Sequence, residues 1–400
     1  MKRMLGFVTP VWLAMMVNSL QGITDFTFLN TISNDYLTVV GVAYIPFTLI
    51  ISLIIGLGIE SNRNQANNSP LNFWYITSFA LASAFILVLI AQLFADLFLF
   101  FALESPLYPQ IKTYFQIICF SIIPTSLLFI CTGILRGNGL TKKTLKFSIM
   151  AVVFNLIFDY LFITVNLFGN PLLGCGIATV LADSLVALIY ILYFMKNKLI
   201  QVEHMNILKF INNATTNSLE KLLSSSTLQL ISSIFIVKLS VSSATIFFVL
   251  ERYFAPLLLF SHGYFEWIVY SRSKGIKSKI TIYPLYFLLL LIYGSIIVKI
   301  LDFNQLGINY AFVYIIYLTS FLLERSVVAN FFASEMGKIV NYVVFAKNLI
   351  FVLSLFLLTF IDKLTLLSFG YANLIFTLIE VIILSAILRY GEASEYKKAS

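Results

Sequence analysis

LGFVTPVWLAMMVNSLQGITDFTFL (residues 5–29) is an almost unbroken apolar run that carries one carboxylate, Asp25, near its end. A helix that crosses the hydrocarbon core of a bilayer needs about 20 mainly apolar residues. The whole chain has the same character, because 60% of its 400 residues are hydrophobic and only 11% are charged. We therefore interpret the stretch as the first span of a polytopic membrane protein, and not as a cleaved signal peptide, since the apolar run is too long.

Further apolar runs of similar length follow along the chain, separated by short polar segments. Together they predict twelve transmembrane helices and an all-α fold. Their approximate extents are 5–29, 36–59, 72–101, 110–135, 147–167, 172–195, 217–238, 243–270, 281–301, 308–331, 340–361 and 365–388.

The basic residues indicate how the chain is oriented in the membrane. The net charge is +8, but the predicted outer loops hold only Lys112, Lys238, Lys299 and Lys363. Nearly all other Lys and Arg fall in predicted inner loops and tails, to which we assign Lys347 as well. By the positive-inside rule both termini face the cytoplasm. The basic surplus thus reports membrane orientation, and we expect no nucleic-acid partner.

The longest polar stretch, residues 196–221, divides the predicted spans into two sets of six. We expect an N-terminal six-helix lobe over residues 1–195, a cytoplasmic linker over 196–220, and a C-terminal six-helix lobe over 221–400. Because each half has an even number of spans, both insert in the same direction, and a pseudo-two-fold along the membrane normal would relate the two bundles.

Polar side chains inside the first half form the main candidate site. Asp25, Asp159 and Asp183 lie within predicted spans, and Asn155 is one helical turn from Asp159. Ionisable groups at membrane depth are costly and usually functional. Several carboxylates in one low-dielectric pocket cannot all be ionised at once, so the group can take up a proton or Na⁺. The alternative for Asp25 alone is a cap at the membrane interface.

The second half carries Glu251 and Arg252 in one span and Glu324 and Arg325 in another. Adjacent helical residues point about 100° apart, so neither dipeptide is expected to pair with itself. Crossed pairs, Glu251 with Arg325 and Arg252 with Glu324, would neutralise all four charges, but the two pairs differ in depth by about 12 Å, which makes direct contact marginal. Such a network would stabilise the second bundle. The functional alternative is substrate binding, in which an arginine holds a carboxylate of the cargo.

Several other functions are disfavoured by the sequence. The cysteines Cys119, Cys131 and Cys175 all lie in predicted spans, which argues for packing and against a disulfide or a metal cluster. A membrane-embedded transferase would need clustered aspartates to bind Mg²⁺, or a histidine beside an acid at the membrane edge. The chain offers little for either, since it has only two histidines, His204 and His262. We therefore expect a protein that is not an enzyme and has no metal or cofactor.

Four segments of the first half resemble the multidrug and toxic compound extrusion (MATE) family. They are TPVWLAMMVNSLQGITD (9–25), IPTSLLFICTGILRGNGLTKK (123–143), NLIFDYLFI (155–163) and GCGIATVLADSLVALIY (174–190). Their order and spacing resemble the proton-coupled, DinF-like branch, in which a proline precedes the first-helix aspartate as Pro10 precedes Asp25 here. The second half departs from the family pattern, because the acids of other branches are not clearly present there.

The resemblance implies a secondary active exporter that moves a small organic compound out of the cell in exchange for H⁺, or alternatively Na⁺. It places the cation site on Asp25, Asn155, Asp159 and Asp183, and a helix bend at Pro10. The alternative from the same group of folds is a flippase for a lipid-linked oligosaccharide or other lipid-linked precursor. We expect a monomer in the inner cell membrane whose partners are the substrate and the lipid bilayer.

Overall fold

The computed structural model describes residues 2–226, 235, 241–276, 282–300 and 305–399, and nearly all of this chain is helical. In the first half the α-helices are α1 Lys2–Asn30, α2 Asn34–Ala66, α3 Phe73–Leu93, α4 Ala95–Phe98, α5 Tyr108–Ile118, α6 Ile122–Gly137, α7 Thr141–Asp159, α8 Pro171–Lys196 and α9 Ile207–Lys221. In the second half they are α10 Val241–Ser273, α11 Tyr283–Ile300, α12 Gln305–Ala333, α13 Gly337–Phe360 and α14 Leu366–Ala399.

These helices confirm the predicted all-α membrane fold. Within the described ranges, nine helices are long and apolar enough to cross a membrane, and the only strand-like pairing is a single bridge between Asn72 and Val202. Most predicted spans agree with a helix to within a few residues. The predicted span 217–238 falls largely outside the described residues.

Two predicted boundaries differ from the structure for identifiable reasons. The run 72–101 was expected to form one helix, but α3 ends at Leu93. Beyond it Asp96 forms an ion pair with Lys112 at 2.6 Å, so the chain turns there although its neighbours are apolar. The run 110–135 is divided by a 3₁₀ turn at Cys119–Ser121, just before Pro124, whose ring removes a helix donor.

The chain divides into two compact units, Leu5–Leu222 and Met1–Met4 with Leu223–Ser400. In the first unit α2 packs against both α6 and α9. A Cβ at Gly133 of α6 would lie 2.2 Å from the Gly58 carbonyl oxygen of α2, so only glycine allows this approach. Small residues at such contacts are how membrane helices pack closely without a hydrophobic driving force between them.

The segment expected as a linker contains α9, which docks on α2 within the first unit. Asn206 caps α9 by accepting a hydrogen bond from the Lys209 N–H at 3.0 Å. Further along, Ser218 Oγ accepts the Gly56 N–H at 3.0 Å. The α9 helix is therefore an integral part of the Leu5–Leu222 unit.

In the second unit α12 is central and packs against α10, α11, α13 and α14. This arrangement corrects one assignment made from the sequence. Lys347 was placed in an inner loop, but it lies within α13 and is only 9% exposed. A lysine inside a membrane span needs an acidic partner, and a buried acid on α14 supplies one. For this reason its placement in a loop was wrong.

Candidate ion-binding site

Three helices of the first unit carry the candidate residues. Asp25 lies near the end of α1, Asn155 and Asp159 lie one turn apart at the end of α7, and α8 carries Asp183. Asp159 is the last α-helical residue before a π-helical segment, Tyr160–Thr164. Such wide turns often occur at functional sites, because they redirect side chains at a helix end.

The start of α8 is fixed by its own sequence. Asn170 adopts an extended conformation, and its side-chain oxygen accepts the N–H groups of Leu172 and Leu173. Pro171 then occupies the first helical position, where its missing N–H is not needed. This cap sets the register that turns Cys175, Thr179 and Asp183, spaced four apart, to one side of α8.

Asp25 and Asp159 meet in the interior of the unit. One carboxyl oxygen of each and the Sγ of Cys175 lie within 4.8 Å of one another. Asp25, Asn155 and Asp159 are all 0% exposed. The structure therefore brings three of the four residues of the expected cation site into one buried cluster, which we call the acid pocket, and adds Cys175 to it.

Within the described part of the chain, no carboxyl oxygen of Asp25 or Asp159 makes a hydrogen bond of normal geometry to a protein donor. The Asn155 Nδ2 amide likewise makes no hydrogen bond of normal geometry there, although Asn155, Thr179 and Cys175 all interact with the Asp25 carboxyl. The Thr24 hydroxyl donates to Asn155 Oδ1 at 3.0 Å, which fixes the orientation of this amide. The carboxyl oxygens of the acid pocket are thus buried without a strong hydrogen-bond donor or a cationic partner among the described residues.

Asp183 lies beside the acid pocket and is only partly buried. Its Oδ2 accepts a hydrogen bond from the Thr125 hydroxyl at 3.2 Å. The Gln21 side chain also interacts with this carboxyl, although its Nε2 makes no hydrogen bond of normal geometry. Gln21 and Asp25 are one turn apart on α1, so this helix connects Asp183 to the other two acids.

The chemical capacity of the acid pocket follows from its charge. Two buried carboxyl groups without a cationic partner are too costly to remain ionised together. A bound proton or a metal cation removes that cost. The carboxyl oxygens of Asp25 and Asp159 are suitable ligands for a hard cation such as Na⁺, but the adjacent thiol of Cys175 is not. A proton would bind to a carboxyl oxygen without any further ligand.

Some residues of the site were missed from the sequence. Cys175 was assigned to packing, and Thr24, Gln21 and Thr125 were not considered. The spacing of Cys175, Thr179 and Asp183 in the α8 sequence was an available signal, because it places the thiol on the helix face of an already suspected acid. Tyr114 also contacts the thiol, with its OH 3.8 Å from Cys175 Sγ.

The charged residues of the second unit pair differently from the expectation. Arg325 Nη2 donates to Glu324 Oε1 of the same helix, and both residues are almost fully buried. The expected crossed partners were therefore wrong for Arg325, because the long Arg and Glu side chains span the roughly 100° between adjacent helical positions. Arg325 also lies over the Phe321 ring, 5.1 Å from its centroid. Glu251 is partly buried, and the Arg252 side chain lies outside the described residues.

A second ion pair crosses between two helices of this unit. Lys347 Nζ of α13 lies 2.6 Å from Glu380 Oε2 of α14, and Glu380 is 1% exposed. The sequence did not reveal this pair, since neither residue has a charged neighbour in its own span. Together with Glu324 and Arg325 it forms a cluster of two acids and two bases whose charges cancel.

Comparisons with known proteins agree with this architecture. Residues 10–161 match the MatE family model. A MATE structure in the bent conformation is similar with a TM-score of 0.79 at 18% identity, covering 100% of this chain and 97% of that chain. An outward-facing multidrug resistance MATE family transporter of the MOP superfamily is similar with a TM-score of 0.77, also at 18% identity and with the same coverage of 100% and 97%.

A third similar structure is a MOP superfamily transporter from Pyrococcus furiosus, with a TM-score of 0.74 at 17% identity, covering 98% of this chain and 96% of that chain. That protein is described as having a binding pocket of reverse polarity. A search of curated proteins gives no match. The similarities establish a twelve-helix, two-bundle membrane fold, and the family resemblance seen in the first half of the sequence is confirmed.

Proposed function

We propose that this chain, which carries a MatE domain and has the fold of the MATE transporters, is a secondary active exporter of a small organic compound. MATE proteins are transporters and not enzymes. The exporter works by antiport, in which an ion entering the cell drives the compound outward through alternating access. The observation that carries this proposal is the buried approach of Asp25 to Asp159 without a cationic partner.

The coupling ion is H⁺ in this proposal, with Na⁺ as the alternative. Two facing carboxyl groups form a neutral or singly charged unit when they share or bind protons, and they repel each other when both are ionised. Protonation therefore changes the interaction between α1 and α7 directly. Na⁺ would use the same carboxylates and the amide oxygen of Asn155, but that oxygen already accepts a hydrogen bond from Thr24.

Pro10 gives α1 a place to respond to this change. The helix continues through Pro10 from Lys2 to Asn30, with Asp25 about four turns beyond the proline. Proline leaves one helical carbonyl without its donor, so the helix bends there at lower cost than elsewhere. We propose that loading of the acid pocket changes the bend at Pro10 and so alters access to the cargo.

The second unit does not favour the flippase alternative. A flippase for a lipid-linked precursor needs cationic side chains that are free to bind a pyrophosphate. Among the described residues, the cations buried within the spans, Arg325 and Lys347, are instead paired with Glu324 and Glu380. These pairs also argue against the expected role of Glu324 and Arg325 in substrate binding and support a stabilising role.

The proposed location is the inner cell membrane with both termini in the cytoplasm, and the proposed functional form is a monomer. The distribution of basic residues supports the orientation. Basic residues lie near the predicted cytoplasmic ends of several spans, as at Lys142, Lys143, Arg272 and Arg389. The partners are then the lipid bilayer and the transported compound.

Reconstitution into liposomes tests the proposal. A pH gradient is imposed, and its dissipation is followed after addition of organic compounds from a panel of cationic, zwitterionic and anionic dyes. The wild type should dissipate the gradient with at least one dye, and Asp25→Asn should not. The matched control is Asp35→Asn, which changes an exposed acid in the first turn of α2. Equal activity of Asp25→Asn and wild type would refute the proposal, and dissipation of a Na⁺ gradient alone would assign Na⁺ as the coupling ion.

A further inference from the structure

A polar cavity of about 400 Å³ lies at one end of the second unit, where α10, α12 and α14 converge. It is distinct from the acid pocket and from the buried ion pairs. Its lining residues are Arg272, Asn330, Ala333, Ser334, Ser385, Leu388 and Arg389. Two guanidinium groups from different helices therefore face one cavity, and no carboxylate is among the lining residues.

Helix ends offer an ordinary explanation for such arginines, because basic side chains stabilise the carbonyl groups of a last turn. The structure removes this explanation for Arg272. At the end of α10 the Ile276 N–H bonds to the Ser271 carbonyl at 2.8 Å and the Gly275 N–H bonds to the Arg272 carbonyl at 2.9 Å. Gly275 has a φ of +66°, so the backbone closes this helix end by itself.

The same closure is found at the end of α12. The Met336 N–H bonds to the Phe331 carbonyl at 2.8 Å, and Glu335 adopts a φ of +61°. Arg389 is not at a helix end, because α14 continues to Ala399. Neither Arg272 nor Arg389 takes part in any ion pair of the described chain. Among the side chains that the structure describes, the two like charges are thus held near one cavity without a protein anion between them.

The polar side chains between the arginines add a second kind of contact. Asn330 Nδ2 donates to the Ser326 carbonyl at 2.7 Å, which leaves Asn330 Oδ1 as a buried acceptor without a partner in the described chain. A ligand hydroxyl would satisfy this oxygen. Ala333 and Leu388 provide an apolar edge to the same cavity.

We propose that this cavity binds the phosphate group of an anionic phospholipid whose headgroup carries a hydroxyl, as phosphatidylglycerol does. Arginine binds phosphate oxygens through paired N–H donors, so Arg272 and Arg389 hold the phosphate from two sides. Asn330 Oδ1 accepts the headgroup hydroxyl, and Leu388 and Ala333 contact the glycerol region. The positive-inside orientation places this cavity at the cytoplasmic leaflet, where anionic lipids attract basic residues.

Binding of a fluorescent phosphatidylglycerol to the full chain in uncharged detergent micelles tests this site. Arg272→Gln/Arg389→Gln should weaken binding about tenfold or more, because two charge-assisted hydrogen-bond partners are lost. Lys142→Gln/Lys338→Gln is the control, since it removes the same charge from two exposed lysines at the starts of α7 and α13. Both arginines are exposed, so the variant is expected to fold, and a melting curve verifies this.

Two further arms separate the possible ligands. Asn330→Leu should weaken binding of phosphatidylglycerol but leave binding of phosphatidic acid, which lacks the headgroup hydroxyl, unchanged. Inorganic phosphate should compete only weakly and phosphatidylcholine should not bind tightly. Unchanged phosphatidylglycerol binding by the double arginine variant would overturn the site. Inorganic phosphate binding as tightly as the lipid would overturn the lipid as its source.

Discussion

Asp25 and Asp159 are separated by more than 130 residues in the sequence, yet a carboxyl oxygen of each lies within 4.8 Å of the other in a fully buried pocket. No lysine or arginine pairs with either acid in the described chain. Four buried charges of the second unit, Glu324, Arg325, Lys347 and Glu380, in contrast form two ion pairs. This difference distinguishes a site that must take up a positive charge from a cluster that is already neutral.

The three acids of the first unit should not contribute equally to coupled transport. Asp159→Asn should reduce coupled efflux to the background level, because it removes one of the two facing carboxyl groups. Asp183→Asn should cost about tenfold or less, since its carboxyl mainly accepts one hydrogen bond from Thr125. Efflux by liposomes with each variant, normalised to inserted protein, gives the order. A greater loss in Asp183→Asn than in Asp159→Asn would contradict it.

Cys175 offers a way to separate a proton from a thiol-bound metal. If the pocket holds a proton, Cys175→Ser should keep coupled efflux near the wild-type rate, because the hydroxyl preserves a small polar group beside the acids. A metal that depends on the thiolate would be lost. Cys131→Ser is the matched control, because it changes another fully buried cysteine of the same unit. Efflux abolished by Cys175→Ser alone would argue against proton coupling.

The buried pair of Lys347 and Glu380 should stabilise the second unit only as a pair. Lys347→Met alone should lower the free energy of unfolding by about 3–5 kcal/mol, because Glu380 is left as an uncompensated buried charge. The double variant Lys347→Met/Glu380→Leu should recover most of this loss. Thermal unfolding in detergent measures both, with Lys338→Met as the exposed control. Equal destabilisation by the single and double variants would show that charge pairing is not the cause.

The contact between α2 and α6 should depend on Gly133. In Gly133→Ala the new methyl group meets the Gly58 carbonyl oxygen, so the helices must separate, at a cost of about 1–3 kcal/mol. Gly22→Ala in α1 is the control, because nothing lies within 4 Å of a Cβ at that position. The melting temperatures of the two variants should therefore differ clearly. A stable Gly133→Ala protein would contradict the packing at this contact.

The sequence predicted the helices well, because a bilayer demands long apolar segments and polar turns interrupt them. The early end of α3 was missed because residues 94–101 are as apolar as the span before them. Asp25, Asn155 and Asp159 could be suspected from membrane depth and family resemblance. Pairing of Lys347 with Glu380 depends on how α13 and α14 rotate against each other, which the apolar pattern does not specify.

Cys175 shows a different limit of sequence interpretation. A buried cysteine usually serves as a small apolar side chain, so its type gives no indication of function. Only the approach of α1 and α7 to α8 identifies it as a neighbour of two acids. Similarly, the pairing of Glu324 with Arg325 depends on side-chain conformations that sequence spacing does not determine.

The most direct test of the central claim is the protonation state of the acid pocket in the purified protein. Infrared difference spectra recorded between acidic and alkaline pH in Na⁺-free buffer detect protonated carboxyl groups by their carbonyl stretch. We expect a buried carboxylic acid band near neutral pH that disappears in Asp25→Asn and Asp159→Asn but persists in Asp35→Asn. A wild-type spectrum in which both pocket acids are ionised at neutral pH without any bound cation would contradict the proposed coupling mechanism.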